Sequence, residues 1–313
     1  MSGIPVLTGR DVRRAVSPDR AVEAVRGAFV AHARGEWRMP SKVYVTNYPA
    51  GDFRAMPAIG AGRALLKWVT SFPGNPARGL PTVSGLVLVS DAENGGLLAL
   101  LDAGAVTALR TGAAAVLAAE TLGRASARTA SVVGAGVNGR AAAETFLARG
   151  RQVALWDVDP VRARAAATEL GAEVAESLQA ALAADLVVTV TPGHEVLLAE
   201  GTLRAGQHVS LMGADGPGKA EAATGELTRA RLFCDDWDQA SHGGELAHAV
   251  DAGVVVREDV TAIGDVLTGT ARGRTDDADI TAFDSTGLAI QDLAIAIAAL
   301  EQLDELDVQF VQL

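Results

Sequence analysis

The sequence predicts an α/β chain in which a doubly wound parallel sheet is joined to a mixed α+β domain, and three observations carry that prediction. Residues 131–157 read SVVGAGVNGRAAAETFLARGRQVALWD, a strand, a glycine-rich turn, a helix and a second strand that ends on an acid. After them, apolar runs at 186–190, 208–212, 232–234 and 262–263 alternate with helical stretches, the rhythm of parallel strands joined by crossovers. Ahead of them, 42–101 is a series of short extended runs broken by Pro and Gly. At 313 residues the chain has room for two cores.

Each element has a local reason. Ser17, Pro18 and Asp19 supply an N-cap, a first-turn proline and an acid suited to the helix dipole, and Val22, Val25 and Phe29 recur on one face, so an amphipathic helix begins there. The runs 83–89 and 97–101 flank Asp91-Ala-Glu-Asn-Gly-Gly96 and read as a hairpin. An alanine-rich helix covers 103–122, and Gly123 stops it. The turn that follows the apolar Val132-Val133 fits G-x-G-x-x-G at Gly134, Gly136 and Gly139. Gly134 permits the tight turn, Gly136 lets the backbone approach a pyrophosphate, and Gly139 lets the helix sit close on the strand. Asp157 closes the strand 152–156, where a carboxylate can accept the hydroxyls of an adenine ribose. Together these predict a Rossmann-type nucleotide-binding domain over 123–284, and a first domain over 1–122 completed by 285–313, whose last helix, 287–303, returns to it.

With 38 acidic and 27 basic side chains the net charge is −11, which disfavours nucleic acid and anionic membrane as partners. The single cysteine, Cys234, excludes an intramolecular disulfide and suits a reducing compartment. No basic start followed by an apolar core marks a signal peptide, and Gln291 and Asp292 interrupt the apolar run 288–300, so the expected location is the cytoplasm. The histidines His32, His194, His208, His242 and His248 show no H-E-x-x-H spacing and Cys234 has no partner thiol, so no metal site is expected. There is no G-x-S-x-G elbow, and Ser84-Gly85 and Ser241-His242-Gly243 read as loop residues.

Ligands of an open parallel sheet lie beyond the carboxyl ends of its strands. The run 208–212 ends in Gly213-Ala-Asp215-Gly-Pro-Gly218, which puts Asp215 on that edge, either facing a nicotinamide or serving only as a turn residue. The first domain supplies Lys42, Arg54, Lys67 and Arg110. Long basic side chains in such positions often snorkel to the surface, whereas four converging on one pocket would bind a carboxylate.

Several segments together resemble the ornithine cyclodeaminase/mu-crystallin family, which also includes archaeal-type alanine dehydrogenases and imine reductases. They are Arg54-Ala-Met-Pro57, Lys67 with Thr70-Ser-Phe-Pro-Gly-Asn75, Gly79-Leu-Pro-Thr82, Leu101-Asp-Ala with Thr107-Ala-Leu-Arg-Thr111, Val133-Gly-Ala-Gly136, Gly213-Ala-Asp-Gly-Pro-Gly-Lys219, and Ser285-Thr-Gly287 with Gln291-Asp292. The resemblance implies a homodimer whose first domain carries substrate binding and subunit contacts. It implies Asp215 as catalytic acid/base, Lys67 as catalytic lysine, Lys42, Arg54 and Arg110 as substrate-binding residues, and Gly134, Gly136, Val137, Asn138, Gly139, Asp157, Thr191 and Gly287 as cofactor-binding residues. The implied reaction is hydride transfer between NAD and a substrate C–N bond, with Asp215 stabilising a cationic iminium and deprotonating its attacking water.

Two departures refine this. Cyclodeaminases of the family commonly carry arginine where this chain has Lys42, and glutamate where it has Arg54. Arg54 would repel the side-chain ammonium of ornithine. The resemblance is therefore nearer to the alanine dehydrogenase and imine reductase members, acting on a small or acidic 2-oxo or 2-imino acid. The alternatives are ornithine cyclodeamination with catalytic NAD, and a mu-crystallin-like NAD(P)H-dependent ligand-binding protein. Asp157 favours NAD over NADP by opposing a 2′-phosphate, while Arg162 and Arg164 close behind it argue the other way. The four basic charges outnumber one α-carboxylate and Asp215, so some must face solvent or a second anionic group must arrive with the substrate.

Overall fold

The computed structural model describes residues 3–193, 195–216 and 218–312, so His194, and Pro217 of the Asp215 loop, lie outside the described residues. In chain order the elements are β1 (Ile4–Leu7), α1 (Gly9–Ala15), α2 (Pro18–Ala33), β2 (Val43–Asn47), β3 (Gly51–Gly60), β4 (Arg63–Ser71), β5 (Val83–Asp91), β6 (Leu97–Asp102) and α3 (Ala103–Leu122). They continue with β7 (Thr129–Val133), α4 (Val137–Ala148), β8 (Gln152–Trp156), α5 (Pro160–Leu170), β9 (Glu173–Val174), α6 (Leu178–Leu182), β10 (Leu186–Thr189), β11 (His208–Leu211) and α7 (Thr224–Leu227). The remainder are β12 (Arg231–Cys234), α8 (Trp237–Gly243), α9 (Ala247–Asp251), β13 (Val260–Ala262), α10 (Ile263–Thr268), β14 (Thr281–Asp284), α11 (Ala289–Leu300) and β15 (Gln309–Val311). Two compact units result: Met1–Arg110 with Leu288–Leu313, and Thr111–Gly287.

The first unit is built on a mixed sheet in the order β15-β1-β6-β5-β4-β3-β2. Strands β2 to β6 form an antiparallel meander, β1 joins β6 in parallel, and β15 closes the edge antiparallel. Strict alternation sorts the side chains: Asp52, Arg54, Met56 and Ala58 on β3 and Leu65, Lys67 and Val69 on β4 are buried, whereas Leu66 and Trp68 face away. Helix α2 starts where expected, with the Ser17 hydroxyl accepting from the Arg20 amide and Val22, Val25 and Phe29 buried. Helix α11 packs against α2, β3 and β4, which carries Asp292 back to the inner face of the meander.

The second unit holds an eight-stranded, wholly parallel sheet in the order β13-β12-β14-β11-β10-β7-β8-β9. Direction of winding reverses between β7 and β10, which is the switch point of a doubly wound fold. Val133, Val187, Val209, Leu211, Leu232 and Ala282 form part of its core.

Several expectations are corrected. The division between units falls inside α3, after Arg110, rather than at 122. The reason is polar anchoring: Ser210 Oγ donates to the Ala115 carbonyl, and Thr281 Oγ1 and Arg274 Nε both donate to the Leu122 carbonyl, so the end of α3 belongs to the parallel sheet. The last strand of the run is Val260–Ala262, with Ile263 opening α10. Strand β14, central between β11 and β12, carried no recognised signal, because Thr-Ala-Phe-Asp is short, half polar and buried throughout. Ser84 and Gly85 lie in β5, and Ser241 to Gly243 in α8, instead of in loops.

Candidate functional site

In the second unit the three glycines of the turn do three different things. Gly134 takes φ +109°, and a Cβ there would lie 2.7 Å from the Val190 carbonyl oxygen and 3.5 Å from Thr191 Cγ2, so the turn and Thr191 meet at the switch point. Gly139 faces the Gly134 carbonyl so closely that any Cβ would collide with it, which seats α4 on β7. Gly136, the N-cap of α4, has nothing within 4 Å of where its Cβ would be. It is exposed beside exposed Val137 and half-buried Asn138, leaving a backbone cradle at a helix N-terminus open to an anion. A dinucleotide pyrophosphate fits that cradle.

Asp157, 8% exposed, accepts the Ala135 amide at 2.8 Å on Oδ2 and the Asp159 amide at 2.9 Å on Oδ1. It therefore braces the turn, and each oxygen keeps a further lone pair for a ribose hydroxyl. Arg162 Nη1 stands 3.6 Å from the same carboxylate, whereas Arg164 is exposed.

The loops after β10 and β11 are tied together by Glu221, which sequence reasoning did not single out. Its carboxylate accepts from Thr189 Oγ1 (2.6 Å), the Thr191 amide and hydroxyl (2.8 and 2.7 Å) and the Gly213 amide (3.0 Å). Asp215 lies on the second of these loops, one-third exposed and paired with Lys219 Nζ at 2.6 Å. Asp235 plays a like part for the segment after β14, accepting the Ser285 hydroxyl at 2.9 Å and the Gly287 amide at 2.8 Å. The Gly287 N–H is thus committed to the protein.

In the first unit Lys67 is 1% exposed, and its Nζ lies 2.6 Å from Asp292 Oδ2 and donates to Thr107 Oγ1 at 3.4 Å. Arg110 Nε lies 3.6 Å from the other Asp292 oxygen. One fully buried carboxylate thus spaces two cations. Burial pulls the Lys67 ammonium down to about 8 against the raising effect of Asp292, with Arg110 and Lys42 adding to the fall. Lys67 therefore lies within electrostatic reach of Lys42 and Arg110. Arg54 shares the inner face, since it pairs with Val69 while Met56 pairs with Lys67 across β3 and β4. Its charge is met by Asp52, however, with Nε–Oδ1 at 2.6 Å and Nη2–Oδ2 at 3.2 Å.

The expected excess of positive charge is accordingly corrected. Two of its counter-ions, Asp52 and Asp292, come from the chain itself. Asp292 had left one trace in the sequence, as a charge inside an apolar helix; Asp52 had left another, as an acid on the same strand face as Arg54.

A sequence profile of the ornithine cyclodeaminase/mu-crystallin family matches residues 5–306. The chain belongs to this family. Among its relatives, an alanine dehydrogenase of Archaeoglobus fulgidus is 41% identical over 299 residues, covering 93% of this chain and 92% of that one. A solved archaeal alanine dehydrogenase dimer with bound NAD superposes with a TM-score of 0.93 at 39% identity, over 99% of both chains. The iminosuccinate reductase of Paracoccus denitrificans, solved with NAD+, gives 0.90 at 28% identity, over 99% of this chain and all of that one, its coverage being 100%. In this family member the sequence motifs named above thus sit in a fold shared along the whole chain.

Proposed function

We propose that this family member is an NAD-dependent amino-acid dehydrogenase or imine reductase, interconverting a small or acidic 2-oxo or 2-imino acid and the corresponding L-amino acid. The observation that carries this is the buried Lys67–Asp292–Arg110 group, two cations on one carboxylate, which a substrate α-carboxylate would bring to balance. The alanine dehydrogenase and iminosuccinate reductase named above support the reaction class.

Gly134, Gly136, Val137, Asn138 and Gly139 would hold the cofactor's pyrophosphate, Asp157 its ribose, and Thr191 and Gly287 its remaining edge. When bound, NAD supplies the acceptor or donor of hydride. Lys67 and Arg110 hold the α-carboxylate, and Lys67 gives a hydrogen bond to the substrate oxygen, with Arg54 on the same sheet face and Lys42 within electrostatic reach of Lys67. Asp215 takes the proton of the water that adds to the C=N carbon and returns it in the reverse direction. Lys219 Nζ, 2.6 Å from it, holds that carboxylate in place. In this reading the first unit serves substrate binding and dimerisation and the second serves the cofactor. The buried free thiol of Cys234 supports a reducing, cytoplasmic setting.

The first unit also supports a homodimer. Val43, Ala55, Trp68 and Leu86 are successive cross-strand partners on the outer sheet face, and Val43, Trp68 and Leu86 are 55%, 40% and 50% exposed. Such a contiguous apolar row is suited to a second copy of the same face. Light scattering should give a dimer, and Trp68→Asp with Leu86→Asp should give a monomer; a monomeric unmodified protein refutes the dimer.

The reaction is tested by offering the purified protein 2-oxo acids with ammonia or simple amines and following NADH absorbance. Consumption of NADH with a small oxo acid and ammonia is expected. Conversion of ornithine to proline without net NADH change, faster than any oxo acid is reduced, would instead make it a cyclodeaminase.

A further inference from the structure

The basic side chains of the inner sheet face differ once their anions are counted. Lys67 and Arg110 share the single carboxylate of Asp292, so this group keeps one surplus positive charge. Arg54 has a carboxylate to itself. Its Nε and Nη2 meet the two oxygens of Asp52 at 2.6 and 3.2 Å, the same side-on fork that a guanidinium offers a bound carboxylate. The pair is shielded from water, with side-chain exposures of 10% and 5%. Asp52 Oδ2 also accepts from the Tyr48 hydroxyl at 3.3 Å, and the Arg54 guanidinium lies 5.2 Å from the centre of the Tyr44 ring, so both partners are held from more than one side.

We propose that Asp52 is a specificity-determining residue: by filling the fork of Arg54 it removes the cation a second substrate carboxylate would need, so the site takes 2-oxo or 2-imino acids with a single carboxylate. The inference rests on the placement of the substrate's α-carboxylate at Lys67 and Arg110. A second carboxylate arriving on this face would meet buried Asp52 and be repelled by it. Lys42 is half-buried and close enough to Lys67 to lower its ammonium, so it is counted with the group that takes the α-carboxylate rather than with the fork of Arg54.

The test compares oxidation of L-alanine and L-aspartate with NAD by the unmodified protein, Asp52→Asn, and Asp52→Asn combined with Arg54→Gln. Asp52→Ser is read in parallel, since it removes the charge while keeping a hydroxyl near Tyr48. The unmodified protein should prefer alanine, Asp52→Asn or Asp52→Ser should move the kcat/KM ratio toward aspartate by about tenfold or more, and the double variant should lose that gain. Thermal shifts with propionate and succinate supply a second readout: only propionate should stabilise the unmodified protein, and succinate should join it once Asp52 is neutral. If no amino acid is oxidised but this ligand pattern holds, the dehydrogenase reading fails and the inference stands. A preference for aspartate in the unmodified protein, or a ratio and a succinate response unmoved in both folded Asp52 variants, overturns it.

Discussion

Lys67 is pulled two ways. Removal from water lowers its ammonium to about 8, and the Asp292 carboxylate at 2.6 Å opposes the fall. The protonated ammonium is the form that holds a carboxylate, so kcat/KM for the oxo acid should decline as pH rises through about 8. Asp292→Asn takes away the raising influence while leaving Arg110 and Lys42 in place, and should move that decline to lower pH by about one unit or more. Lys67→Arg fixes the charge and should remove the decline from the measurable range. A pH–rate profile of the three proteins decides it: an alkaline limb that stays put in Asp292→Asn shows that Lys67 is not the titrating group. The basic residues were legible in the sequence because a resemblance over several segments singled them out. The pairing of Lys67 with Asp292 was not, because the two meet only after a long excursion of the chain brings α11 back onto β4, and local patterning carries no record of such a tertiary contact.

At the scale of elements, the strand-turn-helix of β7 and α4 was legible in detail because each glycine answers a local steric demand. The same demand separates two substitutions. Gly136→Ala adds a methyl group where nothing lies within 4 Å, so the fold should keep its melting temperature while the KM for NADH rises by about tenfold or more from obstruction of the anion cradle. Gly139→Ala drives a methyl group into the Gly134 carbonyl and should cost on the order of 2 kcal/mol or more of stability by lifting α4 from β7. Thermal melts beside NADH titrations distinguish them, and equal loss of stability in both variants would show that Gly136 is a packing residue. Strand β14 marks the limit of such reading. Its buried Thr281 and Asp284 make a half-polar tetrapeptide into a central strand, and the Thr281 hydroxyl is satisfied by the Leu122 carbonyl, His208 and Arg274, the first two supplied by distant parts of the chain.

For the whole molecule, buried ionisable groups of the second unit set how stability follows pH. Glu245 is fully buried, accepts the Glu221 and Ala222 amides at 2.7 and 2.6 Å, and is pushed up to about 8 by burial, with the Glu221 carboxylate adding to the rise. The folded chain therefore keeps a proton that the unfolded chain releases above its ordinary value of 4.5, and stability falls as pH rises from there to about 8. Asp284, raised by burial and by Asp235, acts in the same direction. His208 acts in the opposite one. Burial holds it down to about 3, so the unfolded chain binds the extra proton and stability falls as pH drops from 6.5 toward 3. Between 4.5 and 6.5 these tendencies oppose each other, and above 6.5 only the acids remain, until Lys67 begins to add stability above about 8. The melting temperature should therefore peak on the acidic side of neutrality. Glu245→Gln keeps an amide oxygen for the two backbone donors and cannot ionise, so its advantage over the unmodified protein should grow between pH 5 and pH 8, by about 2 to 4 °C for each kcal/mol recovered. Parallel melting curves for the two proteins across that interval would show that Glu245 is already ionised in the folded state, and that the network around Glu221 holds a charge rather than a proton.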